Sequence, residues 1–352
     1  MKMVQTKIVC TSVAKKLGRM IRKTLYLCVC VVAAALMSIN ACSSNVQANT
    51  NETELERIAH ERELEAEREQ KSVWETDLAD ESRFTLNLKL NAQEKALARK
   101  FARTITHNLQ RNDVYVHYLL TKFKEHDVPL ELAAIPLLES GLNAKVHHGG
   151  AHGAWQYVRA TGKSLGLHKT QNYDGIYDFF ASTDAGIKYL QRLYRDLGDW
   201  ELVAVAYNQG EYGVKKALQR AASAGVKNPN AENIRLSRST KAYLMRFKAY
   251  SDVLKNPELY GVKLPKIKNR PAFRRVEIAG RLNSLNEAAR LSGARIEVIR
   301  KLNSGYTGDK IDDSHGLYMP VEHAEVLEKA ISDKDSVASN TKVTDSPLVV
   351  IK

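Results

Sequence analysis

Past residue 42 the chain contains no cysteine: all four, Cys10, Cys28, Cys30 and Cys42, lie at its start. A body without thiols forms no internal disulfide, holds no cysteine-ligated metal cluster and runs no Cys/His nucleophilic catalysis. Long apolar runs are scarce as well. The stretch from Leu25 to Met37 falls far short of the roughly 20 residues that a membrane-spanning helix needs. Strand signals are sparse, while apolar positions recur at helical spacing, so a mostly α fold is expected.

The start of the chain has the pattern of an export signal. From Met20, a second possible start, it carries Arg22 and Lys23, then the apolar run, then Ile39-Asn40-Ala41-Cys42. Small Ala41 before a cysteine resembles a lipobox, which implies a signal peptide over 1–41, cleavage before Cys42 and lipidation of its thiol. A mature chain would then keep no second cysteine. The formal net charge of +13 is unevenly spread: residues 42–82 hold four basic and twelve acidic side chains, and residues 83–352 hold 42 basic and 28 acidic. A cationic folded part favours anionic polymers, and export argues for a cell wall and against nucleic acid.

Composition divides the rest. Ser43 to Thr53 reads as a polar tether, and Glu54 to Lys71, rich in Glu and Arg with few apolar anchors, as a solvated single helix, so that 42–82 is tether and charged helix. Apolar positions at helical spacing follow (Leu97, Phe101, Ile105, Leu109; Tyr115, Leu119, Phe123), and continue through Ala181 to Leu197, Trp200 to Tyr207 and Thr240 to Leu254. Pro257, Pro265 and Pro271 punctuate a basic stretch that reads as a linker. Residues 272–325 then form a small α+β unit: a strand-like piece (Phe273 to Ile278), helices around Leu285 to Leu291 and Ile296 to Leu302, and a final Leu317-Tyr318-Met319-Pro320. Residues 333–352, polar and charged, are expected to be disordered.

Within the main body, Pro129 is suited to open a helix, and Leu132 and Ile135 lie seven and four residues before Glu139, on the same face. Glu139 therefore sits at the edge of a core, where desolvation raises a carboxyl pKa and lets it hold a proton near neutral pH, as a general acid must. Downstream, Gly149 to Gln156 offers a backbone with little bulk ending in Trp and Gln, a combination suited to sugars. Ala160-Thr161-Gly162 reads as a helix-breaking turn, and Ala206-Tyr207-Asn208-Gln209-Gly210 ends an apolar helix with a phenol and an amide. Tyr243 lies in a further amphipathic stretch. His147, His148 and His152 cluster in a Gly-rich loop with no acidic or sulfur ligand nearby, so no metal is expected there.

In this order and spacing these segments resemble the lytic transglycosylases of the lysozyme-like superfamily, most closely the membrane-bound lytic murein transglycosylase D type, over roughly residues 95–265. The Glu-Ser pair falls on Glu139 and Ser140, the Gly-Ala-x-Gly-x-Trp-Gln motif on Gly150 to Gln156, Ala-Thr-Gly on Ala160 to Gly162 and Ala-Tyr-Asn on Ala206 to Asn208. Val158, Arg159, Gln209 and Ser239 depart from the family's usual residues. The resemblance implies a lysozyme-like catalytic domain over 83–265 that cleaves the β-1,4 bond between N-acetylmuramic acid and N-acetylglucosamine and leaves a 1,6-anhydromuramic end. Glu139 would be the catalytic acid and base; Tyr207 and Asn208 would orient it and the substrate acetamido group, and Ser140, Gln156 and Tyr243 would shape the groove. Asp174, Asp178, Asp184 and Glu211 read as caps and surface charges. No cofactor is implied. The 272–325 unit resembles a divergent LysM-like glycan-binding module. Partners would be peptidoglycan strands and, through the lipid at Cys42, a membrane; Ser43 after that cysteine implies the periplasmic face of the outer membrane. Two alternatives stand beside this reading: a hydrolase using water as acceptor, and a non-catalytic wall-binding scaffold.

Overall fold

The computed structural model describes residues 57–342 apart from Ala279 and Asp313. The expected signal peptide, the acylation site at Cys42, the tether and the last ten residues therefore lie outside the described residues. The chain divides into two units, residues 1–67 and 68–352. Residues 57–70 form a helix, α1, with nearly every side chain exposed and Arg57 paired with Glu61 at 2.5 Å one turn on.

The second unit is mostly helical. Its main body comprises α2 (Ala92–Arg111), α3 (Asp113–Glu125), α4 (Ala134–Ser140), α5 (Arg159–Ser164), α6 (Phe179–Leu197), α7 (Trp200–Gln209), α8 (Glu211–Ser223) and α9 (Arg238–Lys255). Local chemistry fixes the ends. Asn91 and Glu94 form a reciprocal capping box on α2, Asp178 accepts from the N–H groups of Phe180 and Ala181 at the start of α6, and Ser237 accepts from Thr240 N–H on α9. The core-facing stripes follow the apolar spacing, as with Ala98, Ala102, Ile105 and Leu109 on α2. Helix α9 runs along α2 and also touches α4 and α7, so its buried Phe247, Ala249 and Val253 are at the centre of the core.

Two local features differ from the sequence reading. Ala160-Thr161-Gly162 is not a turn but lies within α5. Gly162 serves packing there: a Cβ would meet Ile176 Cδ1 at 2.4 Å. The Gly-rich loop forms a small antiparallel sheet of two-residue strands, β1 (His147–His148), β2 (Ala151–His152) and β3 (Tyr157–Val158).

Beyond α9, β4 (Phe273–Val276) pairs antiparallel with β5 (Leu317–Pro320), with α10 (Leu285–Ser292) and α11 (Ile296–Leu302) between them. Helix α12 (Val321–Lys342) follows, so the tail expected to be disordered from residue 333 begins inside a helix. Val276, Leu285, Ile299, Leu317, Met319 and Leu327 share a second hydrophobic cluster, joined by Tyr173 from the main body. This part is bonded onto the main body: Asp174 N–H donates to Gly305 O at 2.8 Å, Thr307 N–H to Asn172 O at 2.9 Å, and the Tyr115 hydroxyl to Lys301 O. The proline-punctuated connection is also pinned, with Val73 N–H on Ile267 O and Trp74 Nε1 on Pro265 O.

Candidate active site

The residues before Glu139 bury it almost automatically. Pro129 caps a 3-10 turn (Leu130–Ala133) that runs into α4, and Leu130 to Leu137 are all buried, with Leu132 and Ile135 fully so. Helix α4 ends just past Glu139 and Ser140 because Gly141 adopts φ +64°, where a Cβ would also collide with Asn108 Nδ2 at 2.4 Å. The carboxyl is left half-buried at the helix end. Its Oε1 accepts a hydrogen bond from the Tyr243 hydroxyl at 2.9 Å, brought there by the packing of α9 on α4. Burial pushes the Glu139 pKa up to about 7, against the opposing pull of the Tyr243 bond and the positive charge of Arg246.

The loop 153–156 is clamped beside it from three helices. The Ser140 hydroxyl donates to Ala154 O at 2.7 Å, the Tyr207 hydroxyl to Trp155 O at 2.5 Å, and Trp155 Nε1 to Thr183 Oγ1 at 3.0 Å. Gln156, at φ +48°, donates its side-chain amide to Gly153 O at 2.8 Å and Val146 O at 3.2 Å. Gly186 on α6 lets this loop lie close: a Cβ there would meet Trp155 ring atoms at 2.9 Å and the Tyr157 hydroxyl at 2.7 Å. The rings of Trp155, Tyr157, Tyr189 and Tyr207 pack together behind the loop.

Of the residues singled out in the sequence, Glu139, Ser140, Gln156, Tyr207 and Tyr243 thus gather around one loop and one carboxyl, whereas Cys42 lies outside the described residues. The hydroxyl on Glu139 is Tyr243's; Tyr207, expected to orient the acid, instead holds the Trp155 carbonyl. Asn208 is exposed at the end of α7, its side-chain amide without a protein hydrogen bond among the described residues. Sequence reasoning missed Arg246, although its place three residues after Tyr243 puts it on the same side of α9. It also missed Thr183, Tyr157 and Tyr189.

The other acids have structural partners. Asp178 is buried and accepts from Tyr173, Phe180 and Ala181; Asp184 accepts from the Tyr118 hydroxyl at 2.7 Å; Glu211 pairs with Lys215 and Arg192. Asp174, read with the others as a cap or surface charge, is 2% exposed, accepts from Ile176 N–H and pairs with Arg159 at 2.6 Å. Rings of His147 and His152 stack at 4.3 Å, and among the described residues no three His, Cys, Asp or Glu side chains come together as metal ligands would. A cleft of about 720 Å³ lined by Asp113, His117, Lys266, Arg270 and Arg274 among others contains none of the Glu139 cluster.

Residues 121–230 match the family described as the Transglycosylase SLT domain. The match takes in Glu139, Ser140, Gln156, Tyr207 and Asn208 and stops short of Tyr243. The membrane-bound lytic murein transglycosylase D of Escherichia coli strain K12, and that of Escherichia coli O6:H1, are each 32% identical to this chain over 241 residues, covering 67% of this chain and 53% of theirs. The chain spans about half the length of these curated relatives. With the motifs in order around one half-buried carboxyl, residues 121–230 of the chain carry a transglycosylase SLT domain, and over two thirds of its own length the chain is similar to lytic murein transglycosylase D.

Proposed function

We propose that this protein is a peptidoglycan lytic transglycosylase that cleaves the β-1,4 bond between N-acetylmuramic acid and N-acetylglucosamine, with Glu139 as its one catalytic carboxyl. The observation that carries the reading is the state of that group: half-buried, bonded to Tyr243 and poised at about pKa 7, it exists in both protonation states near neutral pH. That balance suits a residue that must first give a proton and then take one. Glu139 protonates the glycosidic oxygen as its bond to C1 of the muramic residue breaks, and N-acetylglucosamine leaves as an alcohol. The muramic acetamido oxygen stabilises the positive charge at C1. The carboxylate then takes the proton of the muramic 6-hydroxyl, whose oxygen closes on C1 to form the 1,6-anhydro ring. Glu139 ends protonated and no water is consumed.

Ordinary glycosidases use a pair of acids. The commitment of Asp174, Asp178, Asp184 and Glu211 to caps, ring hydroxyls and ion pairs supports a mechanism with one. Exposed Asn208 is suited to take the acetamido group, while Ser140, Gln156 and Tyr207 fix the loop that forms the groove wall. We assign catalysis to residues 83–265 and wall binding to the 272–325 unit, a LysM-like reading that its strand, two helices and strand support. Attachment at the periplasmic face of the outer membrane through Cys42 completes the reading. The relatives carry the name membrane-bound; among the described residues no helix is long and apolar enough to cross a membrane.

Mass spectrometry of muropeptides, after purified peptidoglycan is incubated with wild type and with Glu139→Gln, tests this. Anhydromuramic products from wild type alone are expected. Hydrated ends would make the protein a hydrolase, and no product from either would make it a binding protein.

A further inference from the structure

Next to the clamped loop in sequence lies a cationic and aromatic patch that the chemistry at Glu139 does not use. Tyr177 is its centre. Lys145 Nζ lies 5.8 Å from the centroid of its ring and the Arg159 guanidinium 5.6 Å, while Nδ1 of His152 is 2.8 Å from its hydroxyl. The Arg159 side chain is 42% exposed although its Nη1 is held by buried Asp174, and Val158 beside it is 49% exposed. Lys145 is exposed as a residue and donates to Tyr306 O at 3.2 Å, while partial burial of its ammonium lowers its pKa against the pull of Asp174. Two cations thus lie within 6 Å of the centre of one ring, with the carboxylate of Asp174 paired to one of them. Asp312, the other acid nearby, is bound to Thr170, Ser314 and His315.

The patch is built into the same loop as the candidate active site. Lys145 immediately precedes Val146, whose carbonyl takes the Gly153 N–H at 2.8 Å and the Gln156 amide at 3.2 Å; Arg159 follows Gln156 by three residues. Both cations thus flank, in sequence, the loop that is clamped beside Glu139. A glycan strand is itself uncharged apart from its muramic substituents, which carry peptides with free carboxylates. Resting on the assignment of Glu139 above, we propose that Lys145 and Arg159, flanking Tyr177, form a carboxylate-binding subsite that recognises the stem peptide of the strand being cleaved. Guanidinium and ammonium groups held in place lose little freedom on binding a carboxylate, and such charge-assisted bonds are the strong ones.

The test compares kcat/KM on glycan strands bearing stem peptides with the same strands stripped of them by an amidase. Wild type is expected to prefer the peptide-bearing strands by about tenfold or more. Because removing Arg159 alone would strand buried Asp174, two variants are used: Lys145→Gln, and Arg159→Gln combined with Asp174→Asn. Each is expected to bring the ratio toward one, through the peptide-bearing substrate, with the rate on stripped strands within about twofold of wild type. Equal losses on both substrates, or an unchanged ratio, would overturn the subsite while leaving the role of Glu139 intact. Loss of binding to phosphatidylglycerol vesicles with both glycan rates unchanged would make the patch a lipid contact and overturn the proposal equally. Failure of the wild type to form anhydro products from either substrate would remove the assignment of Glu139, and the subsite with it.

Discussion

The Tyr243 hydroxyl reaches across 104 residues of sequence to donate to Glu139 Oε1 at 2.9 Å. This bond favours the carboxylate while burial favours the acid, and the pKa near 7 is their balance together with the charge of Arg246. Helix α9 therefore sets the protonation of a group on α4.

Removing the phenol shifts that balance in a known direction. Tyr243→Phe takes away a stabiliser of the charged form, so the Glu139 pKa rises further. Activity that requires the protonated acid falls off above that pKa, so the basic limb of the pH profile of kcat/KM is expected to move to higher pH. An unmoved or lowered limb would separate Tyr243 from the acid.

The same burial costs stability. In the folded protein Glu139 binds its proton more tightly than at its ordinary pKa of 4.5, so its contribution is complete below about pH 4.5 and is lost as the pH rises through about 7. The loss amounts to about 3 kcal/mol. Glu139→Gln is expected to be inactive, to bind wall material normally, and to be more stable than wild type at about pH 8, with the difference shrinking toward pH 4. Thermal melts at the two pH values decide this, and a gap that widens on acidification would contradict it.

Gly153 holds the loop against the chain at Ile176. At φ +79° and with its Cβ direction 2.1 Å from the Ile176 carbonyl oxygen, it has no room for a side chain. Gly153→Ala is expected to cost about 2–3 kcal/mol, since the obstacle is backbone and the conformation is strained as well. Denaturant unfolding measures it; a neutral substitution would mean that the loop can relax without loss.

The C-terminal unit is expected to be part of the folding of the main body. Tyr173 belongs to its hydrophobic cluster, and Tyr115, Asn172 and Asp174 bond to its backbone. A protein ending at residue 271 should unfold at lower temperature and expose Tyr173, whereas an unchanged melting temperature would show that the unit folds as an independent bead.

Much of this was readable from local pattern. The stripe of Leu132, Ile135 and Glu139 places the carboxyl at a core edge, and Phe273 to Ile278 reads as strand-like, whereas its pairing with Leu317–Pro320 appears only in the structure. What was not readable depends on partners distant in sequence. The family resemblance gives Tyr243 only as a groove residue, because nothing local ties it to Glu139. The burial of Asp174 depends on its partner Arg159, fifteen residues away, and no local pattern distinguishes it from an exposed cap. Gly162 was read as a helix breaker because a glycine gives the same signal whether it relieves the backbone or makes room for a neighbour such as Ile176. The strands β1 to β3, two residues each, are too short to leave any alternation. Ser140, Gln156 and Tyr207 were found by motif, but their bonds to loop carbonyls follow only from the packing.

The measurement that bears most directly on the central claim is the fate of solvent oxygen during cleavage. With peptidoglycan digested in heavy-oxygen water, the account predicts muramic ends that carry no label and weigh one water less than hydrolysed ends, because the 6-hydroxyl closes the ring. Labelled, reducing muramic ends from wild type, absent with Glu139→Gln, would show that water is the acceptor and would contradict the account.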